Sequence, residues 1–325
     1  MRAQAKQHWI GRTITALAIP VLLAGAGSSL AEEKYPTRPI DFIVPWGPGG
    51  GADQLARKVG KLLEESLKTS FPVVNAPGAT GSTGMTKLLV GQADGYAMSV
   101  FIADTHALLA TGNPKWKPAN YRPLAIMLRQ PSAIFVATES RFKAWADFEK
   151  EARSNPGKLK VAILGLGSID DMTLRYLETK GIKTNPVPFS NPGERYISIL
   201  GGHADALYEQ AGDVRQMLDN KQMRPLLFFA NERLAEFKDV PTSKELGYDV
   251  TLPQFRSIIV KTGTPPERFK VLADAVAKVA ASAEYKAFLK DSYADPNSYL
   301  GPGDAEKFLQ GELDAMKHLV TTVGK

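Results

Sequence analysis

The sequence predicts an α/β protein of two lobes built on mostly parallel strands. Short apolar runs alternate along the chain with stretches of helical periodicity, which is typical of strands joined by crossover helices. Removing a predicted 31-residue export signal from the 325 residues leaves 294, which is long for one hydrophobic core. Proline-flanked, irregular sequence leads into an apolar strand near residues 129–131 and again near 253–256. A chain that leaves one lobe at the first point and returns at the second makes the middle segment an inserted domain.

The N-terminus has the pattern of an export signal. Basic residues without an acidic one precede an apolar run at 14–26, which is too short to span a bilayer comfortably. Small residues at 29–31 predict cleavage before Glu32. The alternative is an uncleaved membrane anchor, which Pro20 and the glycines of the run disfavour.

Composition excludes several classes of protein. The chain has no cysteine, so neither a disulfide framework nor an acylated cysteine anchor is available. It has 40 basic and 34 acidic residues, and three of the basic ones lie in the leader, so the mature net charge is +3. The basic residues are scattered, without a run that is interleaved with aromatic residues, and nucleic acid is not an expected partner. We expect a free periplasmic monomer.

The coarse secondary structure follows from hydrophobic periodicity. Helices are predicted over Asp53–Glu65 and Pro265–Ala283, where apolar residues recur on one face. The predicted strands are Ile40–Pro45, Phe71–Asn75, Ala97–Ile102, Ala133–Thr138, Lys160–Leu164, Ala204–Tyr208, Arg224–Phe229 and Ser257–Lys261.

The most informative segment is a glycine-rich elbow between the first strand and the first helix. Residues 40–57 read IDFIVPWGPGGGADQLAR. Gly49, Gly50 and Gly51 let a ligand approach the backbone, and the first amides of the helix have no acceptor within it. This arrangement predicts a cradle for a carboxylate or a phosphate. The alternative is a simple chain turn, although a turn needs fewer glycines.

Two further loops follow predicted strands and are expected to converge on the same site. Residues 75–84, NAPGATGSTG, offer hydroxyl groups beside backbone amides. Residues 103–106, ADTH, follow the strand that ends at Ile102. In open α/β sheets, ligands bind beyond the carboxyl ends of the strands. The sequence therefore predicts a ligand cleft made from three loops.

An ordered set of motifs along nearly the whole mature chain resembles the periplasmic solute-binding component of tripartite tricarboxylate transporters, the TctC or Bug family. These motifs are Tyr35-Pro36-x-x-Pro39-Ile40, Val44-Pro45-Trp46-x-Pro48-Gly49-Gly50-x-x-Asp53, Asn75-x-Pro77-Gly78-Ala79-x-Gly81, Asp94-Gly95-Tyr96, Gly167-Ser168, Leu200-Gly201-Gly202-His203-x-Asp205 and Gly263-Thr264-Pro265. Each motif is weak alone, but their order is specific.

The resemblance implies a two-lobed type II periplasmic-binding-protein fold, a Venus flytrap, that closes on an organic anion and delivers it to membrane permease subunits. In that family, backbone amides of two first-domain loops hold a ligand carboxylate, here Trp46–Asp53 and Ala79–Ser82. The inserted domain would contribute Gly165–Asp170, Phe189–Arg195 and Tyr208–Glu209. Residues 190–195, SNPGER, depart from the family's usual glycine and small apolar residues, so the resemblance does not identify the ligand, a di- or tricarboxylate that is aliphatic or aromatic.

The predicted ligand-binding residues follow from these loops. They are Trp46, Gly49, Gly50, Gly51, Asp53, Ala79, Thr80, Gly81, Ser82, Asp104, Thr105, His106, Gly167, Ser168, Ile169, Asp170, Ser190, Asn191, Arg195, Glu209 and Arg256. Several have a purely structural alternative. Asp53 is suited to fix the elbow, because its carboxylate would repel an anion. Arg195 and Arg256 are each suited to a second ligand carboxylate, and solvated arginine is the alternative.

These predictions give four segments. Residues 1–31 are the signal peptide, 32–131 and 256–325 form the first domain, and 132–255 form the inserted domain. No cofactor and no metal is expected, since the mature histidines are far apart and no cysteine accompanies them.

Enzymatic alternatives have weaker support. Gly47-x-Gly49-x-x-Ala52 imitates a dinucleotide fingerprint, but the next strand ends at Asn75 rather than at an acidic residue. Ser140-x-x-Lys143 with Lys261-Thr262-Gly263 occurs in the order used by penicillin-binding serine hydrolases, without the Ser-Asp-Asn element between them. A third alternative is a carboxylate sensor that signals to a membrane partner, which the same fold would allow.

Overall fold

Two five-stranded sheets, flanked by helices, form the frame of the protein. The computed structural model describes residues 1–4, 34–112 and 114–323, so the predicted cleavage site and nearly all of the predicted signal lie outside the described residues. The described residues from Tyr35 onward form one compact unit. Among the described helices, none combines the length and the apolar character that crossing a membrane requires.

The first sheet has the strand order β2-β1-β3-β10-β4. Its strands are β1 (Asp41–Val44), β2 (Val73–Asn75), β3 (Ala97–Ile102), β4 (Tyr121–Gln130) and β10 (Gln254–Lys261). The second sheet has the order β7-β6-β8-β5-β9. Its strands are β5 (Ser132–Ala137), β6 (Lys160–Ile163), β7 (Asn185–Pro188), β8 (Ala206–Gln210) and β9 (Met223–Phe228).

Both sheets are mixed, and each combines two parallel and two antiparallel strand pairings. β1 pairs in parallel with β2 and β3, whereas β10 pairs antiparallel with β3 and β4. In the second sheet β6 pairs in parallel with β7 and β8, whereas β5 pairs antiparallel with β8 and β9. The antiparallel strands β10 and β5 each enter their sheet from the other one. They therefore need no crossover helix that would make them parallel to their neighbours.

The chain passes between the sheets at two places. β4 ends at Gln130 and β5 begins at Ser132, so only Pro131 separates them. The return connection runs from the end of β9 to Gln254, the first residue of β10. These places coincide with the proline-flanked segments of the sequence, and the division into domains at residues 131 and 255 stays a prediction.

The helices are α1 (Gly51–Leu67), α2 (Ser82–Val90), α3 (Ala103–Thr111), α4 (Trp145–Ser154), α5 (Ile169–Thr179), α6 (Pro192–Leu200), α7 (Arg215–Asp219), α8 (Pro266–Ala281), α9 (Ala283–Asp291) and α10 (Pro302–Val323). Short 3₁₀ turns lie at Ala79–Gly81 and Pro118–Asn120. Each predicted strand and helix has a counterpart, but β4 and β7 were not predicted.

Hydrophobic burial positions the elbow. The first helix buries Leu55, Val59 and Leu63 in one cluster with Phe42 and Val44 of β1. Alternating strand residues and helical residues at i, i+4 and i+8 thus meet on one face of the first sheet. This packing fixes where the strand ends and the helix begins, and with them the glycines of residues 47–51.

Candidate ligand-binding site

The elbow between β1 and α1 is held by one carboxylate. Asp53 Oδ2 accepts the Gly49 amide at 3.0 Å, and its Oδ1 accepts the Asn75 side-chain amide at 3.0 Å. Arg57 adds two further donors at 2.9 and 3.0 Å. Burial works to raise the pKa of Asp53, but the hydrogen bonds from Arg57, Gly49 and Asn75 outweigh it, and the pKa is lowered. Both oxygens of Asp53 are thus engaged in shaping the loop.

The glycines of the elbow admit the second lobe. A β-carbon on Gly50 would lie 2.7 Å from Cγ of Pro192, the first residue of α6. A β-carbon on Gly51 would lie 2.0 Å from Nη2 of Arg256 and 2.2 Å from Oδ2 of Asp213. Real β-carbons do not approach heavy atoms so closely. The absence of side chains here therefore allows α6 and the loop after β8 to touch the start of α1.

The second predicted loop and the far end of α3 also reach the second lobe. Thr80 Oγ1 donates to the carbonyl of Leu166 at 3.2 Å, and Thr111 Oγ1, at the end of α3, donates to the carbonyl of Gly167 at 2.8 Å. Thr80 has a φ of 50° and Gly81 a φ of 89°, both in the left-handed region. A β-carbon on Gly81 would lie 2.2 Å from Thr105 Oγ1. The second and third loops therefore lie against each other.

A small cavity of about 20 Å³ lies where these segments meet. Its wall is formed by Trp46, Gly50, Gly51, Ala52, Ile102, Leu164, Pro192, Arg195, Glu209, Gln210, Asp213, Gln254 and Arg256. This space would hold roughly one water molecule, whereas ligand sites usually measure on the order of 300 Å³ or more. A ligand of several heavy atoms can enter only if the lobes separate.

Two buried ion pairs line this cavity. Arg195 bonds to Glu209 within the second lobe, and both side chains are at most 2% exposed. Arg256 of the first sheet bonds to Asp213 of the second lobe, with side chains that are 3% and 5% exposed. Burial raises the pKa of Glu209 to about 7 although the Arg195 charge opposes the increase. The second pair bridges the lobes.

Several buried polar atoms at the site have no hydrogen-bond partner among the described residues. The donors include Trp46 Nε1, Arg256 Nε and the Nε and Nη1 atoms of Arg195. The acceptors include Oε1 of Gln210, Oδ1 of Asp104, in the first turn of α3, and Oδ1 of Asp170, in the first turn of α5. Buried polar groups nearly always have partners, so these atoms identify the surface that a ligand would satisfy.

The remaining predicted residues occupy different places. Ser168 caps α5, where its Oγ accepts the Asp171 amide at 3.3 Å, and Asn191 caps α6 through the Gly193 amide at 3.0 Å. Ser190 is exposed, and its carbonyl oxygen would lie 3.4 Å from a β-carbon on Gly47. Ile169 is buried in the hydrophobic core.

His106 lies in the core beneath α10 and does not line the cavity. Its Nε2 is 2.8 Å from the carbonyl oxygen of Leu309, and its ring packs edge-on against Phe101 and Phe255. Burial lowers its pKa to about 4. The imidazole is therefore neutral at physiological pH. The sequence pattern did not distinguish it from a cleft residue, because α3 buries its first turn on both sides.

Five wall residues lie outside the segments that the sequence predicts for the site: Ile102, Leu164, Gln210, Asp213 and Gln254. One of them carried a signal. Gln254 lies two residues before Arg256 on β10, and alternate residues of a strand share a face. Asp213 lies in a loop between β8 and α7, where no periodicity predicts its position.

The residues of the penicillin-binding alternative belong to different sheets. Ser140 and Lys143 follow β5 of the second sheet, whereas Lys261 ends β10 of the first. Lys261 Nζ donates to the carbonyl of Gly91 at 2.7 Å, and Ser140 Oγ accepts the Phe142 amide at 3.3 Å. The geometry does not support that alternative.

The chain resembles known proteins in sequence and in fold. The family model "Tripartite tricarboxylate transporter family receptor", TctC, matches residues 55–325. Protein BugT of Bordetella pertussis is 27% identical over 79% of this chain and 80% of its own length. The malate-bound MatC protein of Rhodopseudomonas palustris has the same fold, with a TM-score of 0.81, 23% identity and coverage of 88% of this chain and 100% of that one. The adipate-bound Rpa4515 protein of R. palustris gives a TM-score of 0.82, 23% identity and coverage of 89% and 98%.

We predict that Gly51→Val prevents closure. Its side chain would overlap Arg256 and Asp213 in the closed form, so the lobes could not come together in the same way and carboxylate affinity should fall more than about a hundredfold. Calorimetric titration and small-angle scattering would measure the affinity and the compaction. Gly60→Ala is the matched control, since it lies in the same helix and its β-carbon would come no closer to a neighbour than 3.4 Å, the distance to Cβ of Phe71. Unchanged affinity in a folded Gly51→Val protein would contradict the prediction.

We also predict that His106 makes the protein less stable in acid. Its folded pKa of about 4 lies below the unfolded value near 6.5, so the unfolded state binds the proton first and stability falls as the pH drops below 6.5. The loss should reach roughly 2 kcal/mol at pH 5. His106→Gln should remove most of this slope in urea unfolding at pH 7.5 and 5, and the exposed His318→Gln should not. Equal slopes in all three proteins would show that other groups cause it.

Proposed function

The chain belongs to the tripartite tricarboxylate transporter receptor family, and from this premise we propose that it is an extracytoplasmic solute receptor. In this proposal the protein is exported by the predicted signal segment, works in the periplasm, binds a small organic carboxylate and delivers it to the membrane subunits of a transporter. Two structural relatives are described with malate and with adipate, respectively. Both are dicarboxylates, which supports a carboxylate ligand here.

The observation that carries the proposal is the set of buried donors without acceptors. Trp46 Nε1 from the first lobe and the Nε and Nη1 atoms of Arg195 from the second lobe belong to residues of the same cavity wall. The first turn of α1, whose early amides have no intrahelical acceptor, begins at the same wall. Several donors around one small space can hold a carboxylate without a full countercharge.

A dicarboxylate or tricarboxylate would use both lobes. We propose that one carboxylate docks on the elbow of residues 46–53 and the loop of residues 79–82, and that a second one meets Arg195. Arg195 bonds Glu209 through Nη2, and its Nε and Nη1 atoms, which have no acceptor among the described residues, can each donate to a ligand oxygen. The skeleton between the two carboxylates can be aliphatic or aromatic in this scheme.

Capture then follows from the two connections between the sheets. The lobes separate about these connections, the ligand binds the first lobe, and closure brings Pro192 and Asp213 back to the elbow. Closure depends on the ligand only to the extent that the second lobe also contacts it, because a ligand shifts an equilibrium by its differential affinity for the two states. Arg195 supplies that contact.

A thermal-shift screen of the mature protein against mono-, di- and tricarboxylates tests the function. A true ligand at about one hundred times its dissociation constant adds about 2.7 kcal/mol to stability. The proposal expects at least one carboxylate to raise the melting temperature with a saturable dose response. A screen in which no aliphatic or aromatic carboxylate binds would refute it.

We predict that Arg195→Lys selectively weakens binding of a dicarboxylate. Lysine keeps the positive charge beside Glu209 but lacks donors at the positions of Nε and Nη1. The affinity for a dicarboxylate should therefore fall by roughly 1 to 3 kcal/mol, whereas the affinity for the corresponding monocarboxylate should change little. Calorimetric titration of succinate and propionate would measure the difference. The exposed Arg175→Lys serves as the control. Equal losses for both ligands would mean that the substitution acts through the structure of the lobe.

A further inference from the structure

The geometry points to a ligand that carries a cationic amino group as well as a carboxylate. We propose that this ammonium binds between the carboxylates of Asp104 and Asp170, so that the receptor prefers amino acids to the same acids without the amine. The inference rests on the proposed function and specifies its substrate class.

The two carboxylates come from opposite lobes, and in each of them one oxygen already accepts a hydrogen bond. Asp104, in the first turn of α3, accepts the side-chain amide of Gln254 on Oδ2 at 2.6 Å. Asp170, in the first turn of α5, accepts the Leu164 amide on Oδ2 at 2.8 Å. Both residues are 0% exposed, and each carboxyl group is close enough to influence the pKa of the other. In each case Oδ1 has no donor among the described residues.

The charges around the site do not balance. Four carboxylates, those of Asp104, Asp170, Glu209 and Asp213, lie beside two guanidinium groups. Each guanidinium bonds to one acid, Arg195 to Glu209 and Arg256 to Asp213. No lysine and no other arginine is buried within the described residues. Among the residues that the structure describes, Asp104 and Asp170 therefore form no ion pair, and a buried carboxylate without one is costly.

Independent atoms connect this acidic pair to the ligand cavity. Gln254 and Leu164, which hold the two carboxylates, both line the cavity. On the same wall lie Trp46 and Arg195, each 2% exposed and each with N–H groups that lack an acceptor. One site thus has donors that need acceptors and acceptors that need donors. A zwitterion satisfies both sets, because an ammonium has three N–H groups and a carboxylate only accepts.

A shared proton is the competing occupant of the acidic pair. Burial raises the pKa of both Asp104 and Asp170, while the Arg195 charge lowers both, and Glu209 also faces Asp170 and raises its pKa. The two occupants predict different effects of pH on the affinity for amino acids. An ammonium requires the ionised pair, so amino-acid affinity falls as the pH decreases. A proton in the pair makes the site indifferent to the amine.

The test is calorimetric titration of the mature protein with matched probes, aspartate against succinate and alanine against propionate. We expect at least one amine-bearing probe to bind at least about tenfold more tightly than its partner. Asp170→Asn should remove that preference, so that the affinity ratio within each matched pair falls to about one. Asp171→Asn is the matched control, since this neighbour bonds the Gly167 amide and Arg175 instead of Asp104.

The outcomes separate this inference from the proposed function. Tighter or equal binding of succinate and propionate in the wild-type protein overturns the amino-group inference and leaves a carboxylate receptor. Failure of all four probes and of every carboxylate in the screen refutes the proposed function itself. Asp104→Asn provides a second variant, and an unchanged preference in folded Asp104→Asn and Asp170→Asn proteins overturns the inference.

Discussion

The pairing of buried charge across the cleft is the constraint on which the site depends. Arg256 and Asp213 lie on different sheets and bond only where the lobes meet, with both side chains almost fully buried. Gly51 makes their approach possible, because any side chain there would occupy the place of the ion pair. A buried pair gains attraction but loses the hydration of both ions, so its net contribution is small. Closure governed by such a pair is finely balanced, which is what a ligand needs in order to bias it.

The starts of several helices help to explain how the cleft can hold buried carboxylates. Helices α1, α3, α5 and α6 all begin near the cleft, and the orphan amides of their first turns favour negative charge. Asp53 uses this environment to shape the elbow, and Asp104 and Asp170 lie in the first turns of two of these helices. Helix starts thus partly offset the cost of burying acids, but they provide no full positive charge to neutralise them.

Much of the fold was predictable from local patterns, and the departures have physical causes. The eight predicted strands and the elbow depend on period-two and period-3.6 burial, which a sequence displays directly. β7 was missed because its four residues, NPVP, include two prolines, which only an edge strand tolerates, and β7 is at the edge of its sheet. His106 and Asp213 depended on tertiary placement. Neither α10 above the histidine nor the partner of the aspartate is close in sequence.

The charged residues decide how selective the site can be. A cleft lined only with amides would accept many carboxylates, since amides recognise charge with little regard for the skeleton that carries it. Here, guanidinium groups already bonded to Glu209 and Asp213 offer only their remaining N–H groups to a ligand, so a second carboxylate must compete with an internal acid. The unpaired acids favour the opposite charge at another point of the ligand. Discrimination therefore arises as much from the acids that repel a wrong ligand as from the donors that attract the right one.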